Sequence, residues 1–595
     1  MQSADIVAMS NGTDDLVVIS NPGFDAKIND KAVDGSEFKP TGRFWAIIFT
    51  CATIGLLSAL ENTVVTTALP RIATDLKLGA DYVWVTNIFF LTGYGPALII
   101  TLLIIECSRA AVQPLFGQLA NIYGRRWITM IIVAFFTLGS GISGGAQNGA
   151  TLIAGRAIQG VGAGGIYIII DIIVSDLVPL RQRGNYIAII LTIYTVGLAL
   201  GPYIGGAIVA STTWRWVFFI NLPVSIQRSL AARFGLAYGL QIGGAALIMI
   251  FLFLHVKHDR SQTVREKLLR IDYIGNLLLV AATFSILYAL TYGGTVFAWD
   301  SGRILAPLIL GFAGFAIFGW YECITKEPVI PLEMFKNRTT VIIFGATFFN
   351  SLLLYWVLFF LPVYFQAALL VSPSRAGVLL LPSILFAIPG SIVAVLALSR
   401  WGKYKPIHLV GFAISLIGLA IYTLFSENSS LAEIVIFQAI SSAGGGLVLN
   451  TLLPGVQAQL PEKYQAATTA AWAFIRSFGS IWGIAIPSAI FNNRFSQLLA
   501  QRVTDPQIRF AFDGGNNAYE HAFAEFIQSF PPRSQAQIVR LYSDTLHFMW
   551  QISITFAAVN FLIVIFEAQV PLRTQLETEY GMKDDKKGSQ ETEMS

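Results

Sequence analysis

The stretch "GLALGPYIGG", Gly197 to Gly206, sits inside an otherwise apolar segment. Glycine and proline are poor helix formers in water. Gly197, Gly201 and Gly205 recur every four residues and so share one helical face. Small faces let helices approach closely in lipid, where packing drives association. Pro202 kinks such a helix, and neighbouring helices can satisfy the carbonyl it frees. Two readings of the face fit: a moving contact or a static packing seam.

Beyond this stretch, the 595-residue chain is 55% hydrophobic and only 12% charged, too apolar for an ordinary soluble protein. The expectation is an all-α polytopic membrane protein. The net charge of +4 and the lack of a basic block argue against nucleic-acid partners. Cys51, Cys107 and Cys323 form no metal or redox spacing, so no metal or cofactor is expected. The ends, 1–43 and 567–595, read as cytoplasmic tails. No cleaved signal peptide is visible.

A span needs about 20 apolar residues. Fourteen candidates fit: 44–68, 82–119, 127–146, 151–173, 186–209, 216–254, 271–292, 304–321, 341–364, 376–398, 407–425, 431–453, 467–490 and 550–566. Arg125, Arg126, Arg181, Arg183, the cluster from Lys257 to Arg270, and Arg400, Lys403 and Lys405 follow even-numbered spans. The positive-inside rule then places both termini in the cytosol. One long outer loop, 492–547, is expected between the last two spans.

Several motifs carry candidate chemistry. "GQLANIYGRR", Gly117 to Arg126, fills a short loop, where Gly117 and Gly124 permit a tight turn. Arg125 and Arg126 anchor it on the cytosolic side, with Asp176 as a structural partner. "LIAGRAIQG" places Arg156 and Gln159 inside a span. A guanidinium there faces a cavity, a partner or the interface. Glu61 of "LENTVVTTALP" is a proton site, a substrate site or an interfacial residue. Asp171 is a second candidate. Arg476 lies near the bilayer middle, where it serves function or locks helices together. Trp84, Asn87, Tyr194, Tyr355, Trp356 and Gln366 are candidates to line a path for a flat apolar molecule, or else packing residues.

Together these stretches resemble the major facilitator superfamily, most closely its fourteen-span drug:proton antiporter branch of fungal toxin and multidrug efflux pumps. Gly117, Leu119, Gly124, Arg125 and Arg126 match the loop motif. Leu152, Arg156, Gln159 and Gly160 match the fourth-span motif, and Leu60, Thr63, Ala68, Leu69 and Pro70 the first-span motif. Gly197, Gly201, Pro202, Gly205 and Gly206 match the antiporter motif at every fixed position. "WRWVFFINLP", Trp214 to Pro223, is a further hallmark. Two positions depart from the pattern. Asn121 replaces the usual aspartate of the loop, so a cytoplasmic latch must rest on neutral hydrogen bonds or on Asp176. Glu61 replaces the usual aspartate of the first span.

The resemblance implies two six-helix halves, 44–254 and 341–566, with 271–322 as two added spans. "IQGVGAGGIYI" in span four and "ISSAGGGLVLN" in span twelve echo one another as repeat mates. It implies a monomeric antiporter, not an enzyme, that exchanges protons for small amphipathic metabolites, toxins or drugs. No phosphate-binding loop for ATP is present, which also favours a proton gradient. Glu61, Arg156, Asp171 and Arg476 are the candidate coupling residues. The plasma membrane is expected. Transport of iron-chelates or basic metabolites, which suits a vacuolar membrane, and a non-transporting sensor are the alternatives.

Spans two and six are too long. Residues 82–119, about 38 residues, would make a helix of ~57 Å against a hydrocarbon core of about 30 Å. Removing 94–109 and 224–241 restores single spans that match the family without gaps. Val224-Ser225 can be encoded by the splice donor GTAAGT and Gln241 by the acceptor CAG. The two inserts therefore read as retained introns, or as genuine insertions folded into hairpins.

Overall fold

The computed structural model describes residues 40–75, 114–180, 182–222, 250, 272–293, 297, 299–325, 328–461, 464–503, 505–512, 518 and 521–572. The chain divides into two units, Met1–Thr41 and Gly42–Ser595, and every helix belongs to the second. The long helices are α1 (Gly42–Asp75), α2 (Arg125–Gly144), α3 (Gly149–Leu177) and α4 (Arg183–Ser211). Then come α5 (Tyr273–Tyr292), α6 (Gly302–Glu322), α7 (Arg338–Ala367), α8 (Pro373–Leu385) and α9 (Ala387–Trp401). The last are α10 (Lys405–Ile421), α11 (Leu431–Leu449), α12 (Gln465–Arg502) and α13 (Pro532–Ile565).

Eleven stretches of helix among the described residues are long and apolar enough to cross a membrane. Each coincides with an expected span. The fifth expected span coincides with α4, a 29-residue helix. The second and sixth fall mostly outside the described residues, as do both inserts.

Local sequence sets the boundaries. The Asn148 side chain accepts from Thr151 N at 2.8 Å and caps α3. Ser430 and Glu433 form a reciprocal capping box on α11. Gly402, at φ 65°, ends α9 in the left-handed region. A turn at Phe386 divides the tenth span into α8 and α9, and Pro389, which has no N–H to donate to Leu385 O, follows it.

In the N-terminal part α1 packs on α4 and α2 on α3; in the C-terminal part α7 packs on α12 and α13, and α11 on α9 and α10. Contacts of α3 with α12 and of α4 with α9 are among those that join these sets. α5 and α6 pair with one another. α6 presents Ile309, Leu310 and Trp320 outward, as a lipid-facing helix requires.

The expected outer loop 492–547 is in good part helical. α12 continues to Arg502, α13 already starts at Pro532, and Pro506–Ala511 and Ala524–Gln528 form short helices between them. The apolar run alone sets the expected boundary, but the two helices keep a shared apolar seam beyond it. Phe495 and Tyr542 pack there with ring centroids 4.8 Å apart.

Candidate functional site

Glu61 on α1 and Arg156 on α3 form a salt bridge, 3% and 7% exposed, in the apolar interior. An isolated charge at this depth costs several kcal/mol, so each needs the other. Two amides bond the pair, and one hydroxyl ties the amides together. Arg156 Nη1 donates to Gln159 Oε1 at 2.8 Å. Asn221 Nδ2 donates to Glu61 Oε2 at 2.6 Å and to Ser140 Oγ at 2.9 Å. Gln159 Nε2 also donates to Ser140 Oγ, at 2.5 Å. The guanidinium lies over the Phe218 ring, 5.6 Å from its centroid.

Two members of this network, Ser140 and Asn221, do not stand out in the sequence. Asn221 lies within the "WRWVFFINLP" hallmark, and that is its one signal. Of the three placements open to Arg156, a cavity, a partner or the interface, the geometry gives it a partner.

Asp171 on α3 and Arg476 on α12 act electrostatically on one another across the α3–α12 contact. The Arg476 guanidinium also covers the Trp472 ring at 4.7 Å. The four candidate coupling residues thus comprise one salt bridge, Glu61 with Arg156, and two charges, Asp171 and Arg476, that interact without a direct bond.

A cavity of about 390 Å³ opens between α4, α7–α11 and α13. Tyr194 and Tyr355 line it, and the hydroxyls of Tyr167 and Tyr194 are hydrogen-bonded. Asn350, Ser383, Ser391, Ser415 and Asn560 also line it, and no described lining residue is charged. Trp356 and Gln366 do not belong to this lining. Trp356 is fully buried and packs on Phe556 at 5.7 Å, and Gln366 is buried near the end of α7. Helical spacing puts both on α7 but cannot say which face meets the cavity. Gln159 belongs to the Glu61 network instead. Trp84 and Asn87 lie outside the described residues.

The loop motif divides its glycines between two jobs. Gly124, at φ 83°, makes the turn into α2, a conformation that disfavours any side chain. Gly117 makes no turn. It lies in a helix over 114–123, where a Cβ would come within 2.6 Å of Ala470 Cβ on α12. Close approach, not turning, is its requirement. Arg125 Nε donates to Asp176 Oδ2 at 2.6 Å and its Nη1 to Ala120 O at 2.9 Å, both buried. Asp176 is therefore the structural partner expected of the loop arginines. Asn121 and Arg126 adjoin Ala120 and Arg125 in the chain.

Gly197, the first residue of the glycine face of α4, meets α1. A Cβ on Gly197 would lie 2.8 Å from Leu56 Cδ1 and 2.9 Å from Ala59 Cβ. Gly201, Pro202, Gly205 and Gly206 continue the helix. Their surroundings, like those of Thr63, Ala68, Leu69 and Pro70 on α1, lie outside what is described.

A sequence model of the Major Facilitator Superfamily matches residues 51–484. The chain belongs to that superfamily. It is a multi-pass membrane transporter and not an enzyme. The MFS-type transporter TwmF of Talaromyces wortmannii is 46% identical over 575 residues, covering 96% of this chain and 98% of the relative. The MFS-type efflux transporter ffsH of Aspergillus flavipes is 42% identical, covering 92% of this chain and 89% of the relative. Among solved structures, the proton:xylose symporter XylE aligns with a TM-score of 0.51 at 14% identity, covering 91% of this chain and 99% of that one. The human organic anion transporter MFSD10 aligns at 0.50 and 12% identity, covering 88% and 100%. At such identities the likeness is one of fold.

Proposed function

We propose that this facilitator is a proton-coupled antiporter that exports small amphipathic molecules. The buried Glu61–Arg156 pair carries the reading. Protonating Glu61 removes the charge that compensates Arg156, so the helices holding the pair must rearrange. That is the step a proton gradient needs. Asp171, paired electrostatically with Arg476 across the α3–α12 contact, is the second candidate. Substrate occupies the uncharged cavity, where Tyr194 and Tyr355 offer flat apolar surface and the serines and asparagines offer hydrogen bonds. An uncharged lining favours this cargo over charged iron-chelates or basic metabolites. The efflux roles named for relatives such as ffsH point the same way.

The protein acts as a monomer with fourteen spans: two six-helix halves, the α5–α6 pair as an addition, both termini in the cytosol, and the plasma membrane as its site. The working form lacks residues 94–109 and 224–241, and sequencing of the mature transcript tests that. In cells, Glu61→Gln abolishes gradient-driven efflux while cargo still binds. Undiminished efflux by this variant, collapsed normally by an uncoupler, would move the proton site elsewhere.

A further inference from the structure

We propose that Asp272 and Glu322 share one proton, forming a second protonation site at one end of the α5–α6 hairpin. Asp272 caps α5, and its Oδ1 accepts from Gly275 N at 2.8 Å and from the Tyr321 hydroxyl at 3.2 Å. Glu322 ends α6, and its Oε2 accepts from Ile330 N at 2.9 Å. One oxygen of each carboxyl is thus satisfied. The other two, Asp272 Oδ2 and Glu322 Oε1, are buried and meet no donor. They converge on the same point. A Cβ at Gly275 would lie 2.8 Å from Glu322 Oε1 and closer still to Asp272 Oδ2. Both oxygens therefore face one small space beside Gly275.

A carboxylate only accepts. Two ionised carboxylates so placed repel and leave two buried acceptors unpaired, and both penalties are large in a dry site. A single proton answers both: it removes one charge and supplies the missing donor. The residues are 6% and 4% exposed, so water cannot take this role cheaply. Among described residues, Tyr321 is the titratable group that bonds the pair, and Tyr123 approaches the neighbouring Tyr273. No described arginine or lysine bonds either carboxyl.

The site also reaches the loop motif. Asn276, one turn along α5, donates from Nδ2 to Asp272 O at 2.7 Å and to Gln118 Oε1 at 3.0 Å. Gln118 adjoins Gly117, which packs on Ala470. Losing the proton sets two like charges between the ends of α5 and α6, beside the contact between the loop and α12. The dyad shares no residue with the Glu61 network, so its test is independent of the export reading.

Infrared difference spectra of the purified full-length protein, recorded from about pH 5 to pH 9, make the test. We expect a protonated-carboxyl band that is lost in Glu322→Gln and in Asp272→Asn and kept in Glu61→Gln. Glutamine can still donate to Asp272, and asparagine can still cap α5, so either variant alone decides the matter if the other fails to fold. A band set unchanged by both substitutions would overturn the proposal. So would loss of the band on adding sodium, potassium or magnesium at constant pH, which would make the occupant a cation.

Discussion

Gln457 accepts a hydrogen bond from Arg183 Nη1 at 2.7 Å, and the two residues lie 274 positions apart. The same amide donates to Ser175 Oγ at 3.1 Å and to Thr469 Oγ1 at 3.0 Å. Arg183 starts α4 and is 1% exposed, so its guanidinium depends on this partner and on Val178 O. One neutral side chain from the C-terminal part thus holds the ends of α3 and α4.

The arrangement predicts opposite effects for two substitutions. Gln457→Ala removes a buried partner of the Arg183 guanidinium and should cost about 1–3 kcal/mol, seen as a lower melting temperature in detergent. Gln457→Glu supplies a charge-assisted bond, which is about twice as strong as a neutral one. It should raise the melting temperature and slow efflux, because the contact must break in each cycle. Faster or unchanged efflux by Gln457→Glu would show that this contact does not open.

Much of this architecture is legible in the chain. Apolar runs of about 20 residues mark the spans directly. Arg125 with Asp176 is readable because a buried loop arginine needs an acid, and Asn121 leaves few to choose from. Gln457 is not readable, because a neutral amide in an apolar stretch carries no periodic signal. Gly117 reads wrongly as a turn residue for a related reason: a glycine that turns and a glycine that packs look alike until the opposing Ala470 is known. Asp272 and Glu322 sit at span ends, where acids ordinarily meet water. Only the pairing of α5 with α6 brings them together.

Gly197 tests the α1–α4 seam. A Cβ at this position already crowds Leu56 and Ala59. Gly197→Leu should therefore cost about 1–3 kcal/mol through overpacking and should block cycling, whereas a static seam would lose stability alone. Membrane insertion, read by protease protection of the tails, should be unaffected. Normal transport by Gly197→Leu would remove the close contact from the mechanism.

His521 gives the 503–531 segment a pH dependence. Its ring stacks on Phe526, with centroids 4.1 Å apart, and meets Phe512 edge-on. Burial among these rings lowers its pKa from the ordinary 6.5. The folded segment therefore prefers the neutral ring, and the unfolded segment takes up the proton first. Stability is full above the ordinary value and falls as the pH drops towards the folded value, with no further loss from this group below it. Limited proteolysis of the segment should be faster near pH 5 than near pH 7.5. His521→Phe should flatten that difference, and a difference that survives the substitution would assign it to another group.

His408 and Glu567 make the fourth case. His408 Nδ1 lies 3.0 Å from both Glu567 oxygens, and both side chains are fully buried. Glu567 follows α13 and begins a strap along the start of α10. In that strap Ala568 O accepts from the Tyr404 hydroxyl at 2.7 Å, and Val570 N donates back to that oxygen at 3.0 Å. Burial pushes the Tyr404 hydroxyl up to about 12, so it remains a donor at any working pH. Removing one side of a buried pair leaves the other uncompensated, at about 3–5 kcal/mol. His408→Ala should therefore lower the melting temperature far more than His408→Ala combined with Glu567→Gln, which leaves no bare carboxylate behind. Equal losses in the single and double variants would mean that the pair carries no charge to compensate, and that His408 matters for its packing on Tyr404 and Phe412 alone.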